Sequence, residues 1–182
     1  MSTTRISDSY LKMNRQLHAA PRGFGGSGHR WVDLIHPLLD KYQIRSLLDY
    51  GCGQEKLWES LQEKGVSISY VGYDPCLKGK DHQPVPAELV TCTDVLEHVE
   101  LEYLHNVLSH IYSLTEKVAF FNIALHPANK LLPDGRNAHL IQKPKEWWLT
   151  QLGEFFMDWR VTILPSPRPQ KDFLLYYTRC PE

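Results

Sequence analysis

The chain has 182 residues, 42% of them hydrophobic and 23% charged, enough for one domain with a core of its own. Its net charge of −1 argues against a dedicated nucleic-acid binder with a long duplex footprint. No apolar run approaches the roughly 18 residues that span a bilayer, and Met1-Ser2-Thr3-Thr4-Arg5 lacks the apolar stretch of a secretory signal, so a cytoplasmic location with no membrane partner is expected.

Four cysteines, Cys52, Cys76, Cys92 and Cys180, show no CxxC pair or disulfide-like spacing, which fits a reducing compartment. Charge is unevenly spread. Residues 81–116 hold seven acids (Asp81, Glu88, Asp94, Glu97, Glu100, Glu102 and Glu116) and no Lys or Arg, whereas Lys143, Lys145, Arg160, Arg168 and Lys171 make the end of the chain mildly basic. One solvated helix face accounts for most of that acidic block.

Two helical segments are expected before the first strand. In the second, His29 to Tyr42, the residues Trp31, Leu34, Ile35, Leu38, Leu39 and Tyr42 recur at helical spacing, with Ser27 as its cap. Ahead of it lies Arg22-Gly23-Phe24-Gly25-Gly26-Ser27-Gly28, which no Gly-Lys-Ser/Thr follows; it is not a phosphate-binding loop and reads as a lid or connector. Arg45 to Tyr50 reads as a buried strand, Gln54 to Lys64 as a helix and Ser69 to Asp74 as a second strand. Residues 75–87 are polar and proline-rich, and Glu88 to Thr93 is the next strand.

Val95 to Leu114 is expected as one long helix, because Leu96, Val99, Leu104, Val107, Leu108, Ile111 and Leu114 form an apolar stripe. Val118 to Leu125 is a continuous apolar run and so a buried strand. A loop of about 18 residues follows, long enough to expect function in it. Pro144 opens a helix to about Leu152, and Phe155 to Leu164 and Asp172 to Thr178 form a hairpin around Pro165-Ser166-Pro167-Arg168-Pro169. Strands alternating with helices imply an α/β, doubly wound, Rossmann-like sheet, mostly parallel with a C-terminal antiparallel hairpin. A single domain over residues 1–182 is expected, with 1–44 as a helical cap or lid and 45–178 as the core.

The chemistry starts in Ser46-Leu47-Leu48-Asp49-Tyr50-Gly51-Cys52-Gly53-Gln54, where an apolar run ends in an acid and passes through two glycines toward a helix. A second apolar run ends in Asp74, within Tyr70-Val71-Gly72-Tyr73-Asp74-Pro75. Glycines let a ligand approach the backbone, and an acid at the next strand tip can accept hydrogen bonds from ribose hydroxyls. On these residues alone the site takes an adenosine cofactor, a dinucleotide included.

These motifs, with Leu89-Val90-Thr91-Cys92-Thr93-Asp94-Val95-Leu96-Glu97-His98-Val99, resemble class I S-adenosylmethionine-dependent methyltransferases over about residues 28–178. The last motif is similar to the fourth-strand motif of the ubiquinone-biosynthesis-like (type 11) group. The resemblance implies S-adenosyl-L-methionine as cofactor, with Asp49, Gly51, Gly53, Asp74, Thr93 and Val95 as its binding residues. Asp49 would order the turn or receive the methionine ammonium through water. The sequence departs from the family at Glu55, where a third glycine often sits. It departs again between Asp74 and Glu88, an interval too short for a full helix and strand. A reduced third strand and a cofactor pocket open on that side are therefore expected, with Asp81 as a weak stand-in for the acid that contacts adenine.

Asp94, Glu97 and His98 fall together at a helix start, spaced to bind a divalent cation, to present His98 as a general base, or simply to cap the helix. The loop beyond contains Asp134-Gly135-Arg136-Asn137-Ala138-His139 and then Glu146-Trp147-Trp148. This pattern resembles metal-dependent 2′-O-methyltransferases of small-RNA 3′ ends and also the ubiquinone-pathway O-methyltransferases. The resemblance implies His98 and His139 as catalytic residues. It implies Asp94, Glu97, His98 and His139 as ligands for magnesium or another divalent metal, with Asp94 in the place of a glutamate. His126, Asn129, Lys130, Arg136 and Asn137 share the loop and could select the substrate, though each is more simply read as a surface residue. The other histidines (His18, His29, His36, His82, His105 and His110) show no ligand pattern.

The expected activity is methyl transfer to a hydroxyl or similar nucleophile, with a small-molecule acceptor favoured. Alternatives are a nucleotide or an RNA or DNA end as acceptor, and, from a different class, a non-catalytic binding subunit that keeps the fold.

Overall fold

The computed structural model describes residues 4–20 and 25–179; Cys180 and positions 22–24 of the glycine-rich loop lie outside them. Six strands form one sheet: β1 (Ser46–Tyr50), β2 (Ser69–Tyr73), β3 (Ala87–Thr93), β4 (Thr115–Ala124), β5 (Trp159–Leu164) and β6 (Asp172–Arg179), in the order β2-β1-β3-β4-β6-β5. The first four are parallel, while β6 runs antiparallel to β4 and β5 antiparallel to β6, as a terminal hairpin. Among the described residues five α-helices accompany them: α1 (Asp8–Ala19), α2 (Val32–Lys41), α3 (Lys56–Glu63), α4 (Leu104–Leu114) and α5 (Lys145–Gly153).

Strand periodicity divides the core. Neighbours such as Leu47 and Leu48, Leu89 and Val90, and Phe120 and Phe121 point to opposite faces of the sheet. Leu47, Leu89 and Phe120 pack with Trp31, Ile35 and Leu38 ahead of and along α2 and with Leu57 and Leu61 of α3. Leu48, Val90 and Phe121 pack with Leu104, Leu108 and Ile111 of α4 and with Trp148 and Leu152 of α5. Phe120 and Phe121 are both fully buried, so truncating either to Ala should cost about 3–5 kcal/mol. The chain leaves β1 for β2 on one side and reaches β3 on the other, so the crevice of a doubly wound sheet opens at the carboxyl edge of β1.

Among the described residues no strand lies between β2 and β3, as the short interval predicts. That flank is filled by side chains instead. Tyr50 and Tyr73 pack with ring centres 4.9 Å apart. The Tyr50 hydroxyl lies 3.0 Å from His110 Nδ1, and Gln83 Nε2 lies 2.7 Å from His110 Nε2. Burial pushes the His110 pKa down to about 4, so the ring is neutral in this contact. The expected opening is walled by the N-terminal segment, from which Arg5, Ile6 and Tyr10 face the cleft.

Three local expectations are corrected. The helix expected from Val95 becomes α-helical only at Leu104. Two 3-10 turns, Leu96–His98 and Leu101–Tyr103, precede it, separated by extended Val99 and Glu100. The apolar stripe is real, but Glu97 turns into the core and Glu100 is drawn to the N-terminal segment, so one straight helix cannot serve both. Ser27 does not cap the following helix, because its hydroxyl goes to Asp94. The strand expected from Phe155 starts at Trp159, since the backbone N–H groups of Phe155 and Phe156 remain bonded to Leu152 O. Among the described residues no helix is long and apolar enough to cross a membrane.

Candidate active site

The β1 turn is clasped to the end of β2: the N–H groups of Gly51 and Cys52 both donate to Tyr73 O, at 2.7 and 3.1 Å. Gly51 has φ +82°, and a Cβ there would run into the Val95 side chain. No other residue combines that backbone with that clearance. Gly25 and Gly53 approach face to face, and Gln54 N donates to Gly25 O at 3.0 Å. The segment ahead of α2 is thereby fastened onto the turn. Glu55 adopts the left-handed conformation, φ 56°, which explains why glycine suits that position. Its carboxylate is held by Lys80 Nζ at 2.6 Å, and α3 still starts directly after it.

Asp74 is buried and accepts N–H bonds from Cys76 at 2.9 Å and Gly53 at 3.3 Å. Burial raises its pKa, while those N–H groups oppose the rise. Asp49 is buried as well; Thr91 Oγ1 donates to its Oδ1 at 2.9 Å. Burial pushes the Asp49 pKa up to about 7, with Glu55 and Asp74 adding to the effect and Thr91 opposing it.

These groups open on a cleft of about 1110 Å³, solvent at its mouth included. Five of the six expected cofactor residues line it (Asp49, Gly51, Asp74, Thr93 and Val95); Gly53 stands behind, bonded to Asp74. The opposite wall is α1, through Tyr10, Asn14 and His18. Both Glu100 carboxylate oxygens anchor that helix, accepting from Ser7 N at 2.8 Å and Ser7 Oγ at 2.7 Å, and Tyr10 Oη donates to His98 O at 2.6 Å. Tyr10 also packs with Leu132 and Ala138 of the long loop after β4.

Beside the cleft, ligand atoms of Glu97, His98 and His139 all lie within 4.8 Å of one another. Glu97 is fully buried; its Oε1 accepts from Ala124 N at 3.1 Å, and its Oε2 has no hydrogen-bond partner among the described residues. Desolvation, and Asp94 nearby, raise its pKa well above the ordinary carboxylate range. His98 Nδ1 lies 2.8 Å from Ala138 O, and His139 Nδ1 lies 2.5 Å from His126 O. A carbonyl only accepts, so both Nδ1 atoms carry hydrogen and both Nε2 atoms carry the lone pair. Burial pushes the His98 pKa down to about 3 and also lowers that of His139, which keeps both rings neutral. Neutral imidazoles oriented through Nδ1, next to a carboxylate oxygen lacking a donor, suit a divalent cation with mixed O and N ligands.

Asp94, expected as a fourth ligand, is outside that group. It has φ 54°, and its Oδ2 accepts from Ser27 Oγ at 2.5 Å. Sequence reasoning also missed several participants. His18 Nε2 stands 3.9 Å from Asp74 Oδ2 and Glu100 holds α1, while Asn137, named in the sequence only as a loop residue, closes the loop that carries His139. His18 and Glu100 meet partners 56 and 93 positions away, and no local pattern announces them.

No curated protein sequence matches the chain significantly. Among solved structures, the chain is similar to the small RNA methyltransferase HEN1, with a TM-score of 0.63 and 16% identity over 85% of this chain and 26% of that one. It therefore spans about a quarter of HEN1. It is also similar to magnesium protoporphyrin IX methyltransferase (ChlM) from Synechocystis PCC 6803 with bound SAH, with a TM-score of 0.53 and 16% identity over 95% of each chain. The methyltransferase domain of bacterial CtHen1 gives a TM-score of 0.54 and 13% identity over 84% of this chain and 99% of that one. At these identities the likeness is one of fold. The family model described as Methyltransferase domain matches residues 17–161. The chain belongs to that methyltransferase-domain family, on a fold shared with S-adenosylmethionine-dependent methyltransferases.

Proposed function

We propose that the protein methylates a hydroxyl group with the help of a divalent cation held by Glu97, His98 and His139. The observation that carries this reading is the fully buried Glu97 carboxylate, one oxygen lacking a donor among the described residues, within 4.8 Å of two imidazoles whose Nδ1 atoms face backbone carbonyls.

S-adenosylmethionine supplies an electrophilic methyl group, and a cation at the triad would polarise the acceptor oxygen and lower its pKa. The chain's own residues do the rest. Asp74, at the tip of β2, would accept hydrogen bonds from ribose hydroxyls. The Asp49 carboxylate faces the cleft where the cationic methionine end would lie. Gly51 keeps the turn open, and Val95 packs over it. Helix α1 excludes water along the opposite wall. Methyl transfer needs alignment of two reactants more than covalent help, so this positioning should supply most of the rate.

A small-molecule acceptor is the first reading, because a net charge of −1 disfavours a long phosphate footprint. A ribose hydroxyl at an RNA end is the second, favoured by the Glu-His pair with a later His and by the similarity to HEN1 and bacterial CtHen1. The test is transfer of a labelled methyl from S-adenosylmethionine into small-molecule and RNA fractions of a cell extract, with and without EDTA. EDTA-sensitive label in either fraction supports the proposal and identifies the acceptor class. EDTA-resistant transfer contradicts it.

A further inference from the structure

The loop after β4 carries His139 but contains no helix, and its order depends on one side chain. Asn137 Oδ1 accepts from Ala128 N at 2.9 Å and from His139 N at 2.9 Å, while its Nδ2 donates to Ala128 O at 2.8 Å. The amide behaves as an extra peptide unit laid against Ala128, joining the two legs of the loop as a strand pair would. Around it, Ala138 N donates to Lys130 O at 3.1 Å and Leu132 N to Arg136 O at 2.8 Å, and Gly135, φ +87°, turns the tip.

This closure determines where two carbonyls sit. The leg before Ala128 presents His126 O to His139 Nδ1, and the leg after Asn137 presents Ala138 O to His98 Nδ1. Both imidazoles of the triad therefore take their tautomer and ring orientation from the loop that Asn137 holds shut. Ile141 N then donates to Glu97 O at 3.0 Å, tying the same segment to the turn that bears the carboxylate.

We infer that Asn137 is a positioning residue for the Glu97–His98–His139 site: it orients both histidines toward a cation without touching the cation itself. The inference rests on the proposed metal-assisted function. Residues that orient ligands in this way typically change metal affinity about 10- to 100-fold when removed.

The experiment is titration of the full-length protein with Mn²⁺, followed by electron paramagnetic resonance, with S-adenosylhomocysteine affinity measured on the same samples. Asn137→Ala should bind Mn²⁺ at least about tenfold more weakly than wild type, with cofactor affinity within about twofold. Asn137→Asp keeps both acceptor bonds but faces Ala128 O with an oxygen in place of the Nδ2 donor, so it should recover only part of the Mn²⁺ affinity. Should Asn137→Ala not fold, Asn137→Ser serves, since its hydroxyl reaches at most one of the three partners. Mn²⁺ affinity equal to wild type in the Ala or Ser variant, or a parallel loss of cofactor affinity, overturns the inference and leaves the proposed function standing. Wild-type protein that binds no Mn²⁺ overturns both.

Discussion

Ser27 Oγ donates to Asp94 Oδ2 at 2.5 Å, joining the loop ahead of α2 to the end of β3 across 67 positions of sequence. The bond draws Gly25 to Ser27 over the β1 turn, where Gly25 O already receives Gln54 N. Hydrogen bonds to a charged group contribute about 1.5–3 kcal/mol. Ser27→Ala should therefore weaken S-adenosylhomocysteine binding about tenfold or more, as read by calorimetry, with Mn²⁺ affinity unchanged. Unchanged cofactor affinity, or a selective loss of Mn²⁺, would return Asp94 to the metal site.

Asp49 predicts a pH dependence. Its pKa in the folded protein, about 7, lies above the ordinary carboxylate value of about 4 because the carboxyl is buried. Between those two values the unfolded chain binds fewer protons than the folded one, so the contribution of Asp49 to stability is full below about pH 4 and is lost as pH rises through about 7. A cationic cofactor reverses the preference by favouring the carboxylate. Affinity for S-adenosylmethionine should rise up to about tenfold per pH unit approaching pH 7 and then level off. Calorimetry across this range should find Asp49→Asn weaker and flat; a wild-type profile equally flat would remove Asp49 from the cofactor site.

Glu97 separates stability from function. Its Oε2 is buried without a hydrogen-bond partner among the described residues, and burial disfavours its ionised form, so Glu97→Gln keeps the shape without removing a stabilising charge. Without metal the variant should melt no lower than wild type, and it should lose the stabilisation that Mn²⁺ gives. A fall in melting temperature of more than about 4 °C, roughly 1 kcal/mol or more for a chain of this size, would mark Glu97 as structural.

The Gly25–Gly53 contact is testable against a control. At Gly25 a Cβ would meet Gly53 Cα at 2.5 Å and Gln54 N at 2.9 Å, in a backbone with φ +84°; at Gly65, φ +82°, it would meet nothing within 4 Å. Both alanine substitutions carry left-handed strain of about 1 kcal/mol, but only Gly25→Ala adds a clash. Denaturant unfolding and cofactor titration should show Gly25→Ala losing cofactor affinity and Gly65→Ala keeping it. Equal behaviour of the two would mean that the loop does not rest on the turn in solution.

The legible parts of this molecule are those whose signal is local. The run ending in Asp49-Tyr50-Gly51-Cys52-Gly53, the acid Asp74 and the hairpin of β5 and β6 declare themselves through strand patterning, positive-φ glycines and turn prolines. The missing strand was legible as a length too short to hold one. What stayed hidden depends on contacts far apart in sequence. Ser27 looks like a cap until Asp94 competes for its hydroxyl. Leu96 to Leu114 looks like one helix until Glu97 turns inward and Glu100 takes Ser7. His18 carries no pattern that sets it apart from a surface residue, Asn137 was read as a loop residue although it stands in the run before His139, and His139 was found only through family resemblance.

The central claim is that a cation at Glu97, His98 and His139 sits beside the methyl group to be transferred. The direct measurement is the NMR signal of S-adenosylmethionine carrying a ¹³C-labelled methyl, bound to the protein and titrated with Mn²⁺. The account predicts strong paramagnetic broadening of the bound methyl resonance in wild type and none in His139→Ala or Glu97→Gln, each still saturated with cofactor. A bound methyl resonance that stays sharp in wild type at saturating Mn²⁺ would contradict it.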